Sequence, residues 1–506
     1  MRHSRIALLI ALISASAAAQ DRPPNVILIL ADDLGYNDIS LHGNTMVKTP
    51  NIDRIGNEGI RFTRGHTTNA TCSPSRAGLM TGRNQQRFGY EFVAVPPQFV
   101  QALNGQLTGG DAGGNIIMDI PPDKRAGINV MGVPQSEITI AEILKEQDYK
   151  TGLIGKWHIG TAPEFQPRAQ GFDFFTGMLQ GGGLYGKDSD PNVVSAKLPW
   201  DGIDKYLWRM LRTTLTRNGS PYEPGEYVTT FFGKEAVQFI DDNKKNPFFL
   251  YLAFNAPHTP LQAPKDVYDR LGHIADHKTR VYYAMIESMD EAIGIVLDKL
   301  EAEGLADNTL IIFSSDNGAA SYTRIPHTNA PFRGSKATYY QGGVVVPYLM
   351  RWPAAFSGGK ISSVPVSLLD VFPTVAAAAG AKVPADRPID GVNLLPFIKG
   401  ESGEAPHTAL IWRSGKYKAI LYGDYRLQID SMQGKTVLYN IKVDVGESIN
   451  LAGQMSEKVA ELTALLEKAE SEFAEPIWQT PAYARVPVDL WPHEMPEDAE
   501  FIYYPI

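Results

Sequence analysis

Six short stretches hold residue types that do chemistry. Asp32-Asp33 follow the run Asn25 to Ala31, and Asp316-Asn317 follow a second apolar run that starts at Thr309. Carboxylate and amide oxygens suit a hard divalent cation such as Ca²⁺ or Mg²⁺. Either pair alone serves equally well as a turn or helix cap; two pairs at equivalent places point to a metal. The only cysteine, Cys72, opens Cys72-Ser-Pro-Ser-Arg76, with Ala-Gly-Leu-Met-Thr-Gly-Arg83 after it. One thiol excludes an intrachain disulfide and a cysteine zinc cluster. Pro74 and its polar neighbours read as a helix start, where outward backbone N–H groups receive an anion. A lone cysteine is otherwise a small buried hydrophobe. Lys156 and His158 lie in Gly155-Lys-Trp-His-Ile-Gly160, His258 in Ala256-Pro-His-Thr-Pro260, and Lys336 in Phe332-Arg-Gly-Ser-Lys336. Taken singly, these read as surface lysines and as a partly buried and a loop histidine.

The elements around these residues alternate. Asn25–Ala31 is a continuous apolar run, as in a strand buried on both faces. Residues 49–59 read as a short helix ending at glycine, 59–64 as a strand, and 73–80 as a helix. Helical spacing follows over 137–147, 227–243 and 281–303, with strands over 149–154, 247–254 and 309–314 between them. The pattern predicts a doubly wound α/β core. Ligands of open α/β sheets gather beyond the carboxyl ends of the strands, where both acidic pairs fall. Two stretches read as inserted loops, 96–134 and 180–224, and loops of that length are often functional. After about Gly400 come four short strand-like runs and an amphipathic helix over 455–473, a smaller α+β unit. The predicted division is 1–19, 20–400 and 401–506.

The chain has 506 residues, room for about three domains. Hydrophobic residues make up 43% and charged residues 20%, which excludes a mostly disordered chain. A net charge of −9 lacks the footprint of a general nucleic-acid binder, yet leaves room for a basic pocket. The N-terminus MRHSRIALLIALISASAAAQD has a basic start, a short apolar run and an Ala17-Ala18-Ala19 cleavage site. It reads as a bacterial secretory signal, so the expected location is periplasmic or secreted. Its apolar run is too short to span a bilayer, and no later stretch is long and apolar enough to do so.

Cys-x-Pro-Ser-Arg with Leu-Met-Thr-Gly-Arg after it resembles the signature of the type I sulfatases. The resemblance continues through Asn25–Tyr36, Gly155–Gly160, Ala256–Pro260, Ser315–Gly318, Phe332–Lys336 and Leu438-Tyr-Asn-Ile, in the family's order over most of the chain. It implies the alkaline-phosphatase-like fold: a mostly parallel central sheet sandwiched by helices, and a C-terminal α+β domain carrying an antiparallel sheet. It implies that Cys72 is converted to Cα-formylglycine by a formylglycine-generating or anaerobic maturation enzyme. It also implies one Ca²⁺ held by Asp32, Asp33, Asp316, Asn317 and the modified residue 72. An unmodified thiol is a poor Ca²⁺ ligand, so modification and metal explain each other.

The implied reaction is S–O cleavage. One hydroxyl of the hydrated aldehyde attacks sulfur, with Asp316 as its base, and forms a sulfo-enzyme. The second hydroxyl loses its proton to His158, and the re-forming aldehyde expels sulfate. Arg76 holds the hydrate, Lys156 and Lys336 contact sulfate, and His258 protonates the leaving oxygen with help from Lys336. Two positions depart from the family pattern: Gln341 stands for an acid and Val345 for an arginine, which puts the geometry of the lysine loop in question.

The expected substrate is a sulfated carbohydrate, such as an algal galactan, a fucan or a glycosaminoglycan fragment. Tyr185, Trp200, Tyr206 and Trp208 of the insertions are candidates to stack on sugars, and His42 and His327 to line the cleft. The alternatives are a small aryl or choline sulfate, a phosphate or phosphonate monoester on the same fold, and an unmatured glycan-binding relative.

Overall fold

The computed structural model describes residues 22–96, 99, 116–118, 120–121, 124–489 and 499–505. The segment read as an export signal and much of the first insertion lie outside them. The core strands are β1 (Asn25–Asp32), β2 (Ile60–His66), β3 (Lys150–Lys156), β4 (Phe174–Met178), β5 (Phe248–Pro257), β6 (Thr309–Ser315) and β7 (Val345–Arg351). Their order across the sheet is β2-β7-β6-β1-β5-β3-β4, with short strands at both edges. The strands from β6 to β4 run parallel, while β7 is antiparallel to both neighbours. The expected architecture is the one observed.

Every residue of β1 is buried. Ile27, Ile29 and Ala31 enter one core with helices Val228–Asn243 and His277–Ala302. Val26, Leu28 and Leu30 enter the opposite core with helices Cys72–Thr81, Ile140–Lys145 and Val371–Ala379. The alternation of side chains along a strand requires this split, and a two-sided core is why the run is continuously apolar.

Boundaries differ from the sequence reading for local reasons. The helix expected over 137–147 is Ile140–Lys145, because Thr139 and Glu142 close a reciprocal capping box at its start. The helix expected from 281 begins at His277, where Asp276 accepts the Thr279 N–H at 2.9 Å. Strand β5 runs on to Pro257, since Asp32 pairs in register with Pro257 past an irregularity in β1–β5 pairing.

The second insertion is not the long loop expected. It carries the strand Val193–Ala196, paired with Leu261–Pro264, and the helix Gly202–Met210. Ile116–Met118 of the first insertion pairs with Ala482–Pro487 of the tail, which also pairs with Phe501–Pro505. The four expected C-terminal runs form an antiparallel meander over 409–440. Helix Ser456–Glu470 packs Leu462 and Leu466 on that sheet. No helix among the described residues is long and apolar enough to cross a membrane.

The end of β3 is tightly packed. Gly155 has φ +114°, and a Cβ there would lie 1.8 Å from the Ala253 carbonyl oxygen. Gly155→Ala is expected to cost about 4 kcal/mol or more in urea unfolding. A loss under about 1 kcal/mol would show that β3 and β5 can separate there.

Candidate active site

The carboxyl ends of β1, β3, β5 and β6 meet at one point. Asp32 ends β1, and Asp33 follows it with φ +64°. Lys156 ends β3, Pro257-His258 close β5, and Asp316-Asn317 follow β6. Cys72 starts a helix whose ten residues are all buried. Thr71 precedes it in extended backbone and makes no side-chain cap; its hydroxyl turns to Asn69 Oδ1 at 3.1 Å and the Tyr504 hydroxyl at 3.0 Å. The tail strand thus holds the turn that presents Cys72.

The contacts form one network. Lys156 Nζ lies 2.6 Å from Asp32 Oδ2, and Lys336 Nζ 2.7 and 2.9 Å from the two Asp33 oxygens. Arg76 donates from Nε to Asp316 Oδ2 at 2.7 Å and from Nη1 to the Lys156 carbonyl at 2.8 Å. Asn317 Nδ2 donates to Asp33 Oδ1 at 2.7 Å, and the Asp33 N–H to Asp316 Oδ1 at 3.3 Å. The Cys72 thiol faces Asp32 Oδ1 at 3.3 Å and Asp33 Oδ1 at 3.7 Å. His258 Nε2 is 3.7 Å from Asp33 Oδ2, and its Nδ1 donates to the Thr259 carbonyl at 2.6 Å. His158 sits at φ +61° with Nε2 3.1 Å from the Ala94 carbonyl. That contact makes Nε2 the protonated nitrogen and leaves Nδ1 a buried acceptor without a hydrogen-bond partner.

Electrostatics follow burial and pairing. Burial pushes the Asp33 carboxyl up, but Lys336, His258 and Lys156 outweigh it and hold it well below the usual range. Burial and then the Asp316 carboxylate push the Cys72 thiol well up, so it is a thiol and not a thiolate. Burial lowers His258 to about 3 and His158 well below its ordinary value, with Lys156 and Arg76 adding to the latter. Burial raises Asp316, with Arg76 opposing.

A cation fits these residues. Ligand atoms of Asp32, Asp33, Cys72 and His258 all lie within 4.8 Å of one another. Asn317 Oδ1 is buried with no hydrogen-bond partner, a spare hard donor beside Asp33. Carboxylate and amide oxygens make up most of this donor set, and they favour Ca²⁺ or Mg²⁺.

A family model described as Sulfatase matches residues 24–381. N-acetylgalactosamine-6-sulfatase of Homo sapiens is 30% identical over 454 residues, 89% of this chain and 80% of that one. This chain is a sulfatase. Steryl-sulfatase of Mus musculus is 32% identical over 468 residues, 80% of this chain and 69% of its own. Among solved structures, Ps i-CgsB in complex with k-i-k-neocarrahexaose is 33% identical with TM-score 0.75, covering 90% of the sulfatase and 95% of that chain. The PsFucS1 sulfatase from Pseudoalteromonas sp. matches at 24% identity and TM-score 0.68, over 92% of this chain and 93% of that one, which bears on the fold alone. The sulfatase is a hydrolase of sulfate esters in the alkaline phosphatase superfamily, and its family generally uses Ca²⁺ and formylglycine.

Every metal and catalytic residue expected from the sequence falls at or beside this network. Gln341 anchors the lysine loop through its N–H to Glu447 Oε2 at 2.7 Å and its Nε2 to the Val445 carbonyl at 2.9 Å. Val345 is a buried strand residue. Tyr185, a candidate to stack on sugar, is instead fully buried, and its hydroxyl donates to the His258 carbonyl at 2.8 Å. His42 is stacked on Tyr36 and donates to its carbonyl at 2.6 Å. His327 is exposed and lines a separate cavity of about 270 Å³ with Phe332 and Arg333. The sequence reading missed Tyr322, whose hydroxyl is 3.4 Å from Asp33 Oδ2; four residues past Gly318, it stands in no motif.

Removing Arg76 would leave Asp316 buried without its cation. Arg76→Ala is expected to cost about 3–5 kcal/mol in unfolding at neutral pH. Asp316 is raised when folded, so the folded variant binds the extra proton. The deficit should therefore grow as pH rises above the ordinary carboxylate range and shrink below it. A deficit independent of pH would show that the loss is packing alone.

Proposed function

We propose that this sulfatase removes sulfate from a sulfated carbohydrate by S–O cleavage. The proposal takes residue 72 as matured to Cα-formylglycine and one Ca²⁺ as held by Asp32, Asp33, Asp316 and Asn317. The observation that carries the substrate class is the 33% identity to Ps i-CgsB, solved with k-i-k-neocarrahexaose, over 90% of this chain. The signal-like N-terminus supports export, where maturation enzyme and glycan would be met before and after transit.

Ca²⁺ and formylglycine, when present, supply a nucleophilic oxygen and a positive seat for the sulfuryl oxygens. The chain's own groups do the rest. Arg76, fixed by Asp316 and the Lys156 carbonyl, orients what stands at residue 72, one helical turn away. Lys156 at the closed end and Lys336 at the open end counter the charge of the transferring group. His158 accepts a proton at Nδ1, which has no partner, while Nε2–H stays on Ala94. On the leaving side, burial makes His258 neutral, whereas Asp33 holds the Lys336 ammonium well above its ordinary value against burial. Lys336 Nζ and His258 Nε2 stand together on this side, 2.7 and 3.7 Å from Asp33, and serve the leaving oxygen as a pair.

The test is a panel of sulfated galactan, fucan and glycosaminoglycan oligosaccharides in ¹⁸O-water. Sulfate should be released from one class, with label in the sulfate and none in the sugar alcohol. The peptide holding residue 72 should be lighter than its cysteine form by mass. Turnover of aryl sulfate with no release from any glycan would sink the carbohydrate reading. Faster turnover of aryl phosphate than of aryl sulfate would favour the phosphate-ester alternative.

A further inference from the structure

The site is closed on one side and open on the other. Arg76, Lys156, Asp32 and Asp316 have fully buried side chains, whereas the side chains of His258 and Lys336 remain 13% and 14% exposed. Sulfate must therefore sit against Arg76 and Lys156, and the alcohol half of the ester must leave past His258 and Lys336. Tyr322 stands on that open side. Its hydroxyl and His258 Nε2 approach the same oxygen, Asp33 Oδ2, at 3.4 and 3.7 Å. The residue is partly buried and packs against the core on the Ile27 face of the sheet.

The turn that carries Tyr322 is held from outside. Trp200 of the second insertion donates from Nε1 to the Tyr322 carbonyl at 2.9 Å. Lys278 Nζ donates to the Thr323 and Arg324 carbonyls at 3.0 and 2.6 Å. Arg324, in left-handed backbone at φ +54°, lays its guanidinium over the Trp200 indole at 4.4 Å. The indole flagged as a sugar platform is thus a support for this turn, which carries Tyr322 beside the opening.

We infer that the Ser321–Thr323 turn forms the subsite for the alcohol half of the sulfate ester, with Tyr322 as its specificity-determining contact. A partly exposed tyrosine beside His258 and Lys336 suits the apolar face of a pyranose or an aryl ring. The inference rests on sulfate-ester hydrolysis and takes the sugar from the proposed function.

The experiment compares Tyr322→Leu and Tyr322→Phe with the matured wild type. It reads KM for a sulfated oligosaccharide that the wild type cleaves, KM for an aryl sulfate, and the inhibition constant of inorganic sulfate, which lacks an alcohol half. Tyr322→Leu should raise both ester KM values about tenfold and the sulfate constant less than about twofold, the loss expected of a removed aromatic contact. Tyr322→Phe, which keeps the ring, should raise them less than about threefold. Parallel changes in ester KM and sulfate inhibition would overturn the subsite, as would no change in either, or a Phe variant as impaired as Leu. If the wild type cleaves aryl sulfate and no glycan, the carbohydrate reading fails, and the ratio of aryl KM to sulfate inhibition alone decides the role of Tyr322.

Discussion

The structure turns on a largely buried cluster of opposed charges. Three carboxylates, Asp32, Asp33 and Asp316, and three cations, Arg76, Lys156 and Lys336, are paired at the carboxyl edge of the sheet. Burying one such charge alone is prohibitive, and burying a pair often adds nothing to stability. A cluster of this kind is therefore better explained by what it binds. With a dication among the carboxylates, the two lysines would be freed to face an anion, as the proposed reaction requires. The same side chains that balance one another in the resting network become a cation seat and an anion seat.

The fold is arranged to hold that cluster in place. Parallel strands end together at one edge, so β1, β3, β5 and β6 each deliver a functional group within hydrogen-bond reach of the others. The tight packing of Gly155 under Ala253 brings Lys156 level with Asp32. The C-terminal region contributes from behind: Tyr504 holds the turn before Cys72, and Glu447 holds the loop that ends the lysine segment at Gln341. The second insertion contributes from the front, where Tyr185 fixes the His258 carbonyl and Trp200 fixes the turn of Tyr322.

Much of this was legible in the sequence. A continuous apolar run says that a strand is buried on two faces, and two such runs each ending in an acidic pair point to a ligand at their ends. Periodicity puts Asp32, Asp33, Asp316 and Asn317 just past strand ends; that they act together with Cys72, Lys156, His258 and Lys336 came from the resemblance to the type I sulfatases. What the sequence hides is contact between distant segments. Trp200 and Tyr185 read as candidate sugar platforms, and only tertiary packing turns one into a support and the other into a buried donor. Tyr322 carries no local signal because its role comes from which side of the site is open. Insertion 180–224 read as a loop because its two-strand pairing partner, Leu261–Pro264, lies well downstream.

The central claim is that these carboxylates are held for a dication and the facing cations for sulfate. The direct measurement is urea unfolding of the enzyme stripped with chelator, then with Ca²⁺, then with Ca²⁺ and inorganic sulfate. The account predicts stabilisation by Ca²⁺ of about 2.7 kcal/mol at a hundredfold excess over Kd. It predicts a further gain from sulfate that is larger with Ca²⁺ present than without it. Unfolding that is unchanged by millimolar Ca²⁺, or a sulfate effect indifferent to Ca²⁺, would contradict it.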